Sequence, residues 1–74
     1  MNNKKRIFKV LKSALNEKNV NETTSQINTI QWDSLKHLSL IVELEMEFNI
    51  EFEPEEISEM TDYTKIEQFI NAKL

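Results

Sequence analysis

Glycine occurs nowhere in this 74-residue sequence, and Pro54 is its only proline. Tight β-hairpins depend on residues that accept positive φ, chiefly glycine, so the usual punctuation of an antiparallel sheet is missing. Cysteine is absent as well and His37 is the single histidine, which excludes a disulfide scaffold and any Cys/His zinc centre. Apolar residues make up 39% of the chain and charged ones 30%, the balance of a globular fold rather than a disordered tail. A chain of this size buries only ~60% of the surface it exposes when unfolded, so its small core must pack tightly. Helix packing is the architecture left.

The hydrophobic pattern agrees. Ile7, Val10, Leu11 and Ala14 share one face of a helix over about 3–15, flanked by Phe8 and Leu15, with Lys5, Lys9 and Lys12 opposite. From Asn16 to Gln31 the chain is rich in Asn, Thr, Ser and Gln, which favour turns and caps. Within that stretch Val20, Ile27 and Ile30 are spaced like anchors tacking a long loop onto the core. A second helix is expected over about 34–48. Ile50-Glu51-Phe52-Glu53 alternates too briefly for a strand and runs into Pro54, which suits the first turn of a short helix over about 54–60. Thr61 or Asp62 then caps a last helix over about 62–73 that turns Tyr63, Ile66, Phe69 and Ile70 inward. The expectation is one all-α domain over 1–74: a four-helix bundle with a long first loop and a short third helix. No window approaches the ~20 apolar residues of a membrane span. The basic cluster Lys4-Lys5-Arg6 leads into no uninterrupted apolar run, so no secretory signal is read and a cytoplasmic location is expected.

Charge is segregated along the chain. Residues 1–18 carry six basic groups and one acidic, residues 19–74 three basic and twelve acidic, for a net charge of -4. Between Glu43 and Glu59 stand eight glutamates with no Lys or Arg. Such a run is either a solvated face or a docking surface for basic partners, because clustered charge of one sign steers encounter. The helix over 34–48 is also more apolar than a simple bundle requires. Leu40, Ile41, Leu44 and Phe48 make a core stripe; Leu35, Leu38, Val42 and Met46 make a second one, with Glu45 between them. Either the helix is central and both stripes are buried, or part of the second stays exposed to receive partners, methionine supplying adaptable packing.

Asp33-Ser34-Leu35 stands where the polar loop gives way to that helix. A hydroxyl there meets free backbone N–H groups and the helix dipole, which favour an anion such as a phosphate esterified to Ser34. The plainer reading is a serine or aspartate N-cap. The run Trp32-Asp33-Ser34-Leu35-Lys36-His37-Leu38, continued by an apolar helix into Leu44-Glu45-Met46-Glu47-Phe48-Asn49-Ile50, resembles the acyl carrier protein family. Pro54-Glu55-Glu56 opening a short helix, Thr61 after it and a terminal helix ending near Ile70 extend the likeness over residues 5–72. The resemblance implies a four-helix phosphoprotein in which Ser34 would carry 4'-phosphopantetheine, derived from coenzyme A, as a phosphodiester. The thiol of that arm would hold an acyl or aminoacyl group as a thioester, and the chain itself would be no enzyme. Its implied partners are a phosphopantetheinyl transferase, an acyl-loading ligase or transferase and downstream acyl-processing enzymes. Recognition would fall on Asp33, Leu35, Val42, Glu45 and Met46, and the protein is expected to be a monomer. Leu44, Met60 and Ile66 are either the lining of a cargo pocket or ordinary core. A chain without cysteine offers no competing thiol, which is consistent with thioester cargo.

Departures from the family's fatty-acid-synthesis pattern narrow the expectation. Gln31 stands where those carriers have glycine, and Lys36 and Ser39 replace two acids of the first turns; the Gly-Gly pair common in peptidyl carriers has no counterpart. The Trp-Asp-Ser-Leu-x-His form is more similar to discrete carriers of specialised pathways, with a fatty-acid-synthesis carrier as the alternative. A reading of another class is a small acidic helical interaction module without a prosthetic group. Asp33, Ser34 and His37 suggest a hydrolase constellation, with neighbours three apart on a helix. Against it, a glycine-free chain has no Gly-x-Ser-x-Gly elbow, and the chain is too small for a substrate cleft. A calcium loop fails because Glu56 stands at the glycine position and Pro54 intrudes. Nucleic acid is opposed by the net charge, and a membrane surface by the core's need for the first helix's apolar face. Rather than serving as a base, His37 is expected at the surface or half-buried on its helix, near the phosphate of the arm that the resemblance implies.

Overall fold

Four α-helices follow one another in the computed structural model, which describes residues 3–74: α1 (Asn3–Leu15), α2 (Ser34–Phe48), α3 (Pro54–Glu59) and α4 (Tyr63–Lys73). Met1 and Asn2 of the expected 1–74 span lie outside the described residues. Among the described residues the fold is an all-α four-helix bundle without a β-sheet, and its extended pairing is an isolated antiparallel bridge between Ser25 and Asp62. Its radius of gyration of 10.9 Å matches the ~11 Å of a compact domain this long.

Asparagine does the work that glycine does elsewhere. Asn16 and Asn49 take the left-handed conformation, with φ of 53° and 56°, directly after α1 and α2. Asn tolerates this region better than other non-glycine residues. The turn lets the Glu17 N–H reach the Lys12 carbonyl at 3.2 Å and the Ile50 N–H reach that of Glu45 at 3.1 Å, satisfying carbonyls the helix ends would leave open. Pro54 opens α3 as expected, and the Glu53 N–H donates to the Glu56 carboxylate at 2.7 Å. Two ends differ from expectation by one residue. Met60 has left the helix (φ -83°, ψ 58°) because its side chain is drawn fully into the core, so α3 stops at Glu59. Asp62 is extended (φ -152°, ψ 167°) and caps the Lys65 N–H at 2.7 Å, so α4 begins at Tyr63.

α1 packs on both α2 and α4. Ile7, Leu11 and Leu15 meet Leu40, Leu44 and Ile66, all with no exposed surface. A polar clasp closes the rim. Arg6 donates through Nε to the Glu47 carboxylate at 2.9 Å and through a terminal nitrogen to the Glu47 carbonyl at 2.6 Å, and its guanidinium lies 4.3 Å from the Phe48 ring centre. A cation here also complements the negative end of the α2 dipole. Lys9 adds a second contact to Glu47 at 3.3 Å, and the two cations hold the Glu47 carboxyl below the usual carboxylate range.

The loop over 16–33 corrects the sequence reading. Val20 does pack against the core, but Ile27 and Ile30 are 98% and 97% exposed. Trp32, Thr24 and Thr29 are the buried residues of this loop. The reason is backbone register. The Gln26 N–H donates to the Thr61 carbonyl at 2.8 Å and the Tyr63 N–H to that of Thr24 at 2.9 Å, stitching the loop to the start of α4. Ser25 and Asn28 then exchange side-chain bonds with each other's backbone N–H, at 3.0 and 3.3 Å, and close a turn that points Ile27 outward.

Candidate functional site

The site grows from the end of that loop. Trp32, only 2% exposed, plugs the chain into the core two residues before the helix begins. Asp33 follows in extended conformation (φ -96°, ψ -173°), and its carboxylate accepts the Lys36 N–H at 2.9 Å while its carbonyl accepts the His37 N–H at 2.8 Å. Asp33 is therefore the N-cap. Ser34 is the first residue inside α2, so its hydroxyl has no capping duty and stands exposed. Of the two caps the plain reading allowed, the structure shows the aspartate, which leaves the Ser34 hydroxyl without that duty.

The open first turn of α2 lies beside Ser34. Ser34 is at the surface, and the N–H groups of Ser34 and Leu35 precede any intrahelical acceptor, so the positive end of the helix favours negative charge beside it. The Asp33 carboxylate, the nearest like charge in sequence, is turned onto a backbone N–H.

The second stripe of α2 is open to solvent: Leu35 is 78% exposed, Leu38 57%, Val42 52% and Met46 77%. Of the two arrangements open in the sequence, burial of both stripes is excluded. Leu35, Val42 and Met46, expected at a recognition surface, share this face with Leu38. Glu45 does not join them freely, because its carboxylate accepts the Phe52 N–H at 2.9 Å and ties α2 to the segment before α3. The acidic run is similarly divided. Glu47 belongs to the Arg6 clasp and Glu56 bonds Lys73 at 3.0 Å, while Glu51, Glu55 and Glu59 face solvent.

His37 has a role that sequence spacing did not show. It is half-buried, with its Nδ1 accepting the Trp32 indole N–H at 3.0 Å and its Nε2 at 2.8 Å from the Ile57 carbonyl. The pattern assigns the neutral tautomer with the proton on Nε2, since only that form accepts at Nδ1 and donates to a carbonyl. Both ring nitrogens are thus engaged away from the Ser34 hydroxyl, and the nucleophile–base pair considered from the sequence does not form. The one available signal was an aromatic donor five residues before the histidine.

Leu44, Met60 and Ile66 are each 0% exposed and belong to the common core. Two surface hollows lie instead against α1, one lined by Val10, Ser13 and Met46 with charged neighbours, the other by Phe8 and four basic residues. No helix among the described residues is long and apolar enough to cross a membrane. No protein-family model matches the chain, and no curated protein matches it.

Proposed function

We propose that this chain is a discrete acyl carrier protein whose Ser34 bears 4'-phosphopantetheine, serving a specialised biosynthetic pathway in the cytoplasm. The observation that carries the reading is the placement of Ser34: a solvent-exposed hydroxyl at the first position of α2, relieved of capping by Asp33, with an exposed apolar stripe running away from it along the same helix. The Asp-Ser-Leu motif and the apolar helix behind it support the same reading.

When bound, the arm supplies a terminal thiol on which an acyl or aminoacyl group is held as a thioester. The chain's own residues have simpler duties. The Ser34 oxygen anchors the phosphate, and the open N–H groups of the first turn favour its charge. The cap of Asp33 holds that turn in register. Leu35, Leu38, Val42 and Met46 provide an apolar landing strip for the transferase, the loading enzyme and the processing enzymes. Glu51, Glu55 and Glu59 give it an acidic flank that favours partners with basic rims.

Intact-mass measurement after incubation with coenzyme A and a broad-specificity phosphopantetheinyl transferase tests the reading. Wild type gains one phosphopantetheine and Ser34→Ala gains none. Equal modification of both removes the site assignment. Failure of wild type with every transferase tried favours the interaction module without a prosthetic group, which would use the same exposed stripe.

A further inference from the structure

We infer that His37 is a positioning residue for Ser34: one imidazole holds the loop that delivers the serine and, through its other nitrogen, the end of α3. The functional half of this inference rests on the carrier reading of Ser34.

α3 is a short helix that leans on its neighbours. The helix has six residues and none of them is fully buried; Ile57 packs partly buried against the core and Glu56 is bonded to Lys73. Phe52 before it and Met60 after it are core residues. At its C-terminal end the Glu59 carbonyl takes the Thr61 N–H at 2.9 Å. The Ile57 carbonyl receives the Met60 N–H at only 3.3 Å, whereas His37 donates to it at 2.8 Å. His37 thus caps α3 from another helix, the duty a basic or polar side chain performs at many helix ends.

The second nitrogen faces the serine's side of the site. Trp32 is almost wholly buried, so its indole N–H must find an acceptor or incur the cost of an unsatisfied buried donor. His37 Nδ1 is that acceptor at 3.0 Å, and the two rings lie 26° from parallel with centres 6.0 Å apart. Trp32 precedes Ser34 by two residues and His37 follows it by three. The contact therefore spans the turn in which Ser34 sits, fixing the chain's direction on both sides of the hydroxyl. Asp33 sets the helix register; His37 sets how the incoming chain meets it.

The two contacts can be separated by substitution, because an asparagine oxygen reaches the place of Nδ1 and a glutamine nitrogen that of Nε2. His37→Asn keeps an acceptor for Trp32 and gives up Ile57. His37→Gln keeps the donor to Ile57 and gives up Trp32. His37→Phe loses both. For each full-length variant we would record the amide resonances of Ser34 and Leu35, the indole N–H resonance of Trp32, the thermal midpoint, and kcat/KM for arm installation. The expected result is that the Trp32, Ser34 and Leu35 resonances stay near wild type in His37→Asn and move together in His37→Gln and His37→Phe. Installation then falls about fivefold in the latter two, the scale of one lost net hydrogen bond, and is rescued in His37→Asn.

Installation rates that follow the thermal midpoints across the set, with no Asn/Gln difference, would overturn the inference in favour of a purely structural histidine. So would Ser34 and Leu35 resonances that stay put in His37→Gln and His37→Phe. If wild type accepts no arm, the carrier reading falls, and the resonance comparison alone decides whether His37 orients the turn.

Discussion

The aspartate cap at Asp33 makes Ser34→Ala and Asp33→Ala informative as a pair. Asp33→Ala removes the acceptor of the Lys36 N–H and a negative charge at the positive end of α2. N-cap losses of this type cost ~0.5–2 kcal/mol, typically about 1. Ser34→Ala removes an exposed hydroxyl at the first helical position and introduces the best helix former, so its expected effect lies between neutral and a gain of a few tenths of a kcal/mol. In a domain of this size 1 kcal/mol moves the thermal midpoint by roughly 4–8 °C. Melts followed by circular dichroism should therefore place Asp33→Ala several degrees below wild type and Ser34→Ala level with it or slightly above. Intact mass after the transferase reaction should show Ser34→Ala unmodified although fully folded. A midpoint for Ser34→Ala as low as that of Asp33→Ala would refute the division of labour between cap and attachment point.

Three further outcomes follow from the packing. Ile27→Ser and Ile30→Ser should each change stability by less than ~0.5 kcal/mol in urea titrations, as expected of surface positions, whereas true anchors would cost several times that. Met60→Ala should cost ~2–5 kcal/mol, because a side chain with no exposed surface leaves a cavity; a loss below ~1 kcal/mol would mean that Met60 lines a space already open. Glu47 is lowered from the ordinary value of 4.5 by hydrogen bonds from Arg6 and then Lys9, so its contribution is complete above that pH and drains as pH falls through the lowered native value. Glu47→Gln should accordingly be destabilised at pH 7 and converge on wild type in strong acid, and an unchanged gap between the two urea midpoints from pH 7 to pH 3 would remove the Arg6–Glu47 clasp as the cause.

Legibility in the sequence followed the strength of the periodic signal. α1 and α2 have the bounds their apolar spacing predicts, since each repeats its core residues over more than two turns. α3 and α4 lie within one residue of expectation, the differences falling at Met60 and Asp62, where burial and capping decide. The loop was misread at Ile27 and Ile30. Spacing of three marks a face only on a helix, and here side-chain bonds from Ser25 and Asn28 direct the backbone. Ser34 and its position were legible because the motif and the onset of apolar periodicity coincide. The choice between a serine and an aspartate cap was not, because both residue types suit the position and only backbone dihedrals separate them.

What the amino-acid order settled alone was local in origin: a glycine-free, cysteine-free chain of amphipathic segments commits to packed helices, and an Asp-Ser-Leu at the head of one of them marks where a hydroxyl will stand. Whether the second α2 stripe faces water depended on α1 packing against the first and on nothing covering the other. The bond network of His37 likewise joins residues 5 and 20 positions away and exists only once loop, α2 and α3 meet. Periodicity is carried by neighbours in the chain, whereas exposure and cross-element hydrogen bonds are properties of the surfaces that folding brings together.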